Sequence, residues 1–210
     1  MTESAAPTRL FLVTPSGADA ATFAPKLREA LAAGDVAAVL ITDGGEALAA
    51  ALAPIIQQAG AAALILDDTR LAGHVKADGV QVTTGIADLR LAADSFKPKR
   101  IVGAGNIASR HAAMEAGEAG ADYLFFGRPH GDTHDAPHPK ALDLAEWWSE
   151  LMAIPAVVMA GRAPESIGDA ASTGAAFVAV NDAVWSHPEG PAEAVRAANA
   201  MLKQEGLRAA

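Results

Sequence analysis

The densest group of chemically active side chains lies between Arg128 and Lys140. His130, His134 and His138 follow one another at intervals of four residues, a spacing that would align three zinc ligands on one face of a helix. Prolines and a glycine inside the segment exclude a helix there, so the spacing loses its geometric meaning. We therefore interpret the segment as an exposed loop whose histidines line a polar mouth or, when protonated, contact an anionic ligand.

Two neighbouring carboxylates offer a second kind of chemistry. Asp67 and Asp68 directly follow the apolar run Ala62 to Leu66. Carboxylate oxygens are the ligands that Mg²⁺ accepts, so the pair is suited to hold that ion. An aspartate in front of a helix is equally suited to cap it. The residue types alone leave both roles open.

A third group of residues is suited to anion binding. Gly161 and Arg162 precede a predicted helix, and Asn181 and Asp182 follow the last predicted strand. At these two positions barrels commonly hold a phosphate on backbone N–H groups and a helix N-terminus. Arg162 would add positive charge, whereas Asp182 beside an anion would be unfavourable. Ordinary tight turns have the same composition, which leaves a purely structural interpretation open.

These polar groups follow apolar runs that recur roughly every twenty to twenty-five residues. After each run comes an alanine-rich segment with helical periodicity. Eight strand and helix units predict an α/β fold, a single (β/α)8 TIM barrel, with an open doubly wound sheet as the alternative. The predicted strands are Leu10 to Thr14, Val36 to Ile41, Ala62 to Leu66, Gly79 to Val82, Arg100 to Val102, Tyr123 to Phe126, Ala156 to Met159 and Phe177 to Val180.

Domain organisation follows from the same pattern. No linker rich in Gly, Ser or Pro divides the chain, so we expect one domain over residues 1–210, with residues 1–8 as a flexible tail. In a barrel of this kind the functional groups lie on the loops after the strands' C-terminal ends, which is where the groups described above fall.

Composition limits the partners. A formal net charge of −9 argues against nucleic acid and anionic membranes, because either would require a basic face. The 210 residues include no cysteine, which excludes disulfides and thiolate metal sites. The N-terminal segment lacks the pattern of a leader peptide, and no apolar run reaches the length of a membrane span, so we expect a soluble, cytoplasmic protein.

Six segments, in the same order and spacing, resemble the thiamine phosphate synthase and thiazole tautomerase family over nearly the full chain. The segments are LFLVT (10–14), LILDDTRLAGHVKADGVQV (64–82), IVGAGN (101–106), GADYLFFG (120–127), IPAVVMAG (154–161) and TGAAFVAV (173–180).

The resemblance implies a (β/α)8 barrel that forms a homodimer and binds small phosphorylated metabolites. Synthase members join a hydroxymethylpyrimidine diphosphate to a thiazole phosphate, release pyrophosphate and use Mg²⁺. Tautomerase members instead move a proton on the thiazole, for which His130 or His134 would be the catalytic acid or base. A non-catalytic barrel that binds a phosphorylated metabolite or another protein is the third hypothesis.

The family's motifs map unevenly onto this sequence. Asp67 matches the first metal aspartate, and Asp88 matches the second if one insertion is allowed. The basic motif expected on the second strand is replaced by LITDG at 40–44, which has no cation to face a diphosphate. The residues that we expect to bind substrate or phosphate are Gly103, Asn106, Arg128, Lys140, Gly161, Arg162, Asn181 and Asp182.

Overall fold

Eight parallel strands close into a barrel in chain order, because β1 pairs with both β2 and β8. The structure is a computed structural model that describes residues 7–43 and 45–209. It confirms the predicted single (β/α)8 barrel. The strands are β1 Arg9–Val13, β2 Val36–Ile41, β3 Ala62–Leu66, β4 Gly79–Val82, β5 Ile101–Ala104, β6 Tyr123–Phe126, β7 Ala156–Met159 and β8 Phe177–Val180.

Helices follow each strand and cover the outside of the barrel. Side chains cap two of them, since Asp19 accepts a hydrogen bond from the backbone of Thr22 and Ser109 accepts one from the backbone of Ala112. The described helices are α1 Ala20–Ala33, α2 Gly45–Gln58, α3 Thr69–His74, α4 Ile86–Phe96, α5 Arg110–Glu118, α6 Pro139–Leu151, α7 Ser166–Ala171, α8 Asp182–Trp185 and α9 Pro191–Ala209. The short α8 was absent from the sequence prediction, because four residues are too few to show helical periodicity.

Successive side chains along each strand point to opposite faces of the sheet, so the barrel has two separate apolar cores. On β4, Val80 and Val82 face the helices and belong to the larger core between sheet and helices. The residue between them, Gln81, therefore faces the barrel axis. The smaller core fills the axis and is formed by Phe11, Val13, Ala38, Leu40, Leu64, Tyr123, Phe125, Val157, Met159 and Ala179.

The ring of Tyr123 occupies the space that is free because Gly103 has no side chain. A Cβ atom added to Gly103, its neighbour on β5, would lie 2.1 Å from Cζ of the tyrosine ring. The ring is 6 % exposed, and burial raises the pKa of its hydroxyl far above the usual range. The hydroxyl has no hydrogen-bond partner among the described residues. It belongs to the wall of a cavity of about 130 Å³ at the N-terminal end of the barrel.

An ion pair closes that same end of the barrel on the outside. Arg9 at the start of β1 donates two hydrogen bonds of 2.7 Å to the Asp35 carboxylate in front of β2. These bonds lower the pKa of Asp35 and raise that of Arg9. Of the expected flexible tail, residues 1–6 lie outside the described residues, whereas the Thr8 hydroxyl donates to the carbonyl oxygen of Ala175.

None of the helices in the described ranges combines the length and hydropathy needed to cross a membrane.

Candidate functional site

Polar residues at the C-terminal rim of the barrel form two hydrogen-bonded networks. The first, the Asn181 network, links the ends of β1, β2 and β8. Thr14 and Thr42 bond to each other through their hydroxyl groups at 3.3 Å. The Asn181 amide donates to the carbonyl oxygens of Thr14 and His130, both at 3.2 Å. Asn181 is 6 % exposed, so this buried amide ties the loop after β6 to the first and last strands.

The loop after β6 also lies directly on the turn after β7. The backbone N–H groups of Arg162 and Ala163 donate to the carbonyl oxygens of His134 and Asp135, at 2.8 and 3.2 Å. A Cβ atom at Gly161 would lie 2.0 Å from the Asp135 oxygen, so only glycine permits this approach. Two N–H groups at the predicted phosphate turn are therefore satisfied by the protein itself.

The three histidines of this loop have different surroundings. Nδ1 of His138 accepts a hydrogen bond from the backbone of Lys140 and so caps α6. The Nδ1 atom of His134 lies 3.4 Å from a carboxylate oxygen of Asp132. The same oxygen accepts hydrogen bonds from the backbone N–H groups of Thr133 and His134. His130 contributes its carbonyl oxygen to Asn181. Within residues 7–43 and 45–209 no three histidine or acidic side chains lie close enough together to hold a metal ion.

The second network, the Asp67 network, links the ends of β3, β4 and β5. Asp67 has a left-handed backbone conformation, with φ of 54°, and its carboxylate accepts hydrogen bonds from both the N–H and the hydroxyl of Thr83. Asn106 donates to the carbonyl oxygen of Thr83 at 3.5 Å. Asp68 points elsewhere, because its carboxylate caps α3 through the backbone of Leu71. Of the two aspartates, Asp67 is the one placed at the rim with the other polar groups.

The remaining predicted residues spread around the rim. Asp88 is exposed in the first turn of α4, three residues into that helix. Arg162 forms an ion pair of 3.2 Å with Asp182. Arg128 lies 3.4 Å from the Thr133 hydroxyl within the loop, and Lys140 is exposed at the start of α6. The end of β2 presents Thr42, a neutral side chain, where relatives are expected to carry cations.

Gly103 is placed differently from the other predicted residues. It lies inside β5 beneath the ring of Tyr123, so Gly105 is the glycine of this segment that reaches the rim. The sequence analysis also missed Gln81, which is fully buried with its amide beside Gly105. A polar residue between two valines of a buried strand was the available signal.

The arrangement is suited to binding anions and polar rings at the rim. Arg128 and Lys140 supply positive charge on the side of the β6 loop, where Arg162 is paired with Asp182, and Asp67 supplies negative charge after β3. A diphosphate held by a divalent cation and a monophosphate would be bound best at separate places on such a rim.

Comparison with known proteins identifies relatives over most of the chain. The model of a family described as thiamine monophosphate synthase matches residues 10–184. A thiamine-phosphate synthase of Hyphomonas neptunium is 37 % identical over 97 % of this chain and 99 % of the relative. One of Rhodospirillum centenum is 38 % identical over 93 % and 98 % of the two chains.

A solved structure supports the fold. The thiamine phosphate pyrophosphorylase from Pyrococcus furiosus superposes with a TM-score of 0.76 over 94 % of this chain and 96 % of its own, at 23 % identity.

Proposed function

The chain belongs to the thiamine monophosphate synthase family, and from that membership we propose that it joins a hydroxymethylpyrimidine diphosphate to a thiazole phosphate and releases pyrophosphate. The observation that carries the proposal is the sequence identity of 37 % and 38 % to two thiamine-phosphate synthases, along nearly the whole length of this chain and of each relative. The polar rim of the barrel supports it, since it offers separate groups for two phosphorylated substrates.

The reaction requires charge stabilisation and positioning from the protein. The bond between the pyrimidine methylene and the diphosphate oxygen breaks, and the thiazole nitrogen forms a new bond to that methylene. The leaving diphosphate takes the electron pair of the broken bond. Catalysis therefore depends on groups that stabilise the diphosphate and hold the two rings in line.

A magnesium ion fits the Asp67 network better than any other part of the rim. Mg²⁺ is usually bound by one or two carboxylates together with substrate phosphates, and the two Thr83 bonds leave lone pairs on the Asp67 oxygens free. We assign Asp67 as a ligand, with Asp88 of α4 as the second carboxylate. When bound, Mg²⁺ would stabilise negative charge on the leaving diphosphate.

The thiazole phosphate is assigned to the opposite side of the rim. Arg162 and the N–H groups of Gly161, Arg162 and Ala163 form this side, with Arg128 and Lys140 at the two ends of the neighbouring loop. A phosphate and the carbonyl oxygens of His134 and Asp135 compete for the same N–H donors. Binding of phosphate at this turn therefore requires the loop after β6 to move away from β7.

Direct assay of the purified protein tests the proposal. We expect thiamine phosphate and pyrophosphate to form when both substrates and Mg²⁺ are present, and not when either substrate or the metal is omitted. Calorimetric titration with each substrate alone gives an independent test. Binding of the thiazole phosphate without the diphosphate would exclude synthesis and favour a tautomerase, with His130 or His134 as the acid or base. Binding of neither would indicate a barrel without either activity.

We further propose that the protein acts in the cytoplasm as a homodimer, as the resemblance implies. An apolar groove of about 350 Å³ between α5 and α6 supports a contact between subunits. Met114 lines this groove and is 45 % exposed. Light scattering coupled to size exclusion measures the mass directly. A mass near 21.3 kDa would exclude the dimer.

A further inference from the structure

Gln81 is a buried amide without a hydrogen-bond partner. Its side chain is 0 % exposed, and neither Nε2 nor Oε1 has a partner within the described part of the chain. An unsatisfied buried polar group destabilises the folded protein, and native structures contain few of them. The neighbouring side chains that face the axis, such as Leu64 and Tyr123, belong to an apolar core, so an apolar residue would suit this position. The position of Gln81 thus calls for a ligand that completes its hydrogen bonds.

The amide lies just below the C-terminal rim of the barrel, out of contact with solvent. A Cβ atom at Gly105 would be 2.7 Å from Nε2 of Gln81, which places the amide beside the rim residues after β5. The axis-facing wall of β5 beside Gln81 has no side chains of its own, because Gly103 lies under the ring of Tyr123 and Gly105 lies against the Gln81 amide. The backbone oxygen of Gln81 accepts a hydrogen bond of 2.8 Å from the N–H of Asp67. Gln81 is therefore the direct backbone neighbour of Asp67, the residue assigned to Mg²⁺.

The chemistry of a carboxamide identifies its partner. It presents an acceptor and a donor side by side, which match an exocyclic amino group next to a ring nitrogen, as when glutamine reads adenine. The aminopyrimidine ring has this edge, whereas the thiazole ring has no amino group beside its nitrogen. The ring and its diphosphate are joined by one methylene, so a ring at Gln81 would place the diphosphate towards Asp67.

Other unsatisfied groups fit this ligand less well. The amide nitrogen of Asn181 is already bonded to Thr14 and His130, which leaves only an acceptor. The hydroxyl of Tyr123 belongs to the cavity at the opposite end of the barrel. Among the buried unsatisfied groups of the described residues, only Gln81 offers a free donor and a free acceptor on one planar group.

We propose that Gln81 is the residue that determines specificity for the aminopyrimidine ring, with Oε1 accepting from the amino group and Nε2 donating to the adjacent ring nitrogen. The proposal rests on the proposed function, because it assigns one substrate of that reaction to a residue. The Gln81→Met substitution preserves the length of the side chain and removes both hydrogen bonds.

The test measures dissociation constants by calorimetry, with Mg²⁺ and without the second substrate, so that no turnover occurs. We expect Gln81→Met to weaken binding of the pyrimidine diphosphate about 10- to 100-fold, the range for loss of a bidentate contact, and to leave binding of the thiazole phosphate unchanged. The melting temperature of the free protein should stay the same or rise, since an unsatisfied amide is removed. The control is Gln58→Met at the exposed end of α2, which should change neither constant.

A second measurement compares two ligands that differ only in the amino group. The wild-type protein should bind the desamino pyrimidine diphosphate, with hydrogen in place of the amino group, at least about tenfold more weakly than the natural compound. The Gln81→Met variant should bind the two alike. Equal binding of both compounds by the wild type, or equal weakening of both substrates by Gln81→Met, overturns the assignment. Failure of the wild type to make thiamine phosphate overturns the proposed function instead, and the two failures are distinguished in this way.

Discussion

The backbone N–H of Arg162 donates a hydrogen bond of 2.8 Å to the carbonyl oxygen of His134. Through this bond and its neighbour from Ala163 to Asp135, the loop after β6 occupies the turn where a phosphate would be expected. The same loop is held on its other side by Asn181 through the His130 carbonyl. A phosphate bound at this turn would need the same backbone N–H donors as the loop in its observed position, so the two would exclude each other.

The contact between Gly161 and the loop can be removed by one methyl group. In Gly161→Ala the new Cβ would lie 2.0 Å from the Asp135 oxygen, so the loop must move off the turn. We expect the Arg162 and Ala163 amide protons to exchange with solvent at least about tenfold faster, as measured by hydrogen exchange. The control is Gly168→Ala in α7, where a Cβ meets nothing within 4 Å and should be neutral or slightly stabilising. Unchanged exchange at Arg162 would show that the loop does not close this turn.

The roles of the two neighbouring aspartates can be separated by one substitution at each. Asp67→Asn keeps a residue type that tolerates the left-handed conformation and removes the charge. We expect it to raise the Mg²⁺ concentration needed for half-maximal synthase activity at least about tenfold. Asp68→Ala removes the α3 cap and should cost about 1 kcal/mol of unfolding free energy with no change in the Mg²⁺ requirement. A larger Mg²⁺ effect at Asp68 than at Asp67 would contradict the assignment.

Tyr123 has a hydroxyl whose removal should stabilise the protein. The ring fills the space above Gly103, and the hydroxyl is buried without a partner among the described residues. Tyr123→Phe keeps the packing and removes the unsatisfied group, so we expect the free energy of unfolding to rise by about 1 kcal/mol. Chemical denaturation measures this change. A fall in stability would show that the hydroxyl is hydrogen-bonded in solution.

The Arg9–Asp35 pair predicts how stability depends on pH. Hydrogen bonds from Arg9 lower the pKa of Asp35 in the folded protein. The pair therefore stabilises the protein above the carboxyl's unfolded pKa of about 3.9, and this contribution disappears as the pH falls through the lower folded value. Both side chains are about half exposed, so Asp35→Asn should cost less than about 1 kcal/mol at pH 7. The difference from wild type in thermal melts should vanish near pH 2. A difference that persists there would have another cause.

The strands were predictable because each is a short apolar run that ends at a polar turn. The predicted and observed bounds agree to within one or two residues, and six of the eight strands have identical bounds. The cap at Ser109 was also predictable, since capping depends only on neighbouring residues. The assignments of Asp67, Asp88 and the anion-binding residues stay predictions.

The contact of the β6 loop with Gly161 could not be predicted, because it joins backbone atoms far apart in sequence and no residue type marks it. The inward direction of Gln81 followed from the alternation on β4, but its lack of a partner depends on what surrounds it. Gly103 illustrates the same limit. A glycine at this position suggested a binding residue at the rim. The structure shows that Gly103 instead makes room for the ring of Tyr123.

The bonds of Asn181 have a consequence for the order of folding. This residue directly follows β8, the last strand, and donates hydrogen bonds to Thr14 after β1 and to the loop residue His130. Because the chain is synthesised from its N-terminus onwards, these bonds can form only after nearly all of the barrel has been made. Closing the seam between β1 and β8 and fixing the β6 loop are then one late event, as expected for contacts of large sequence separation. A nascent chain that stops just before residue 181 would contain all eight strands and still lack the bonds that fix the loop after β6.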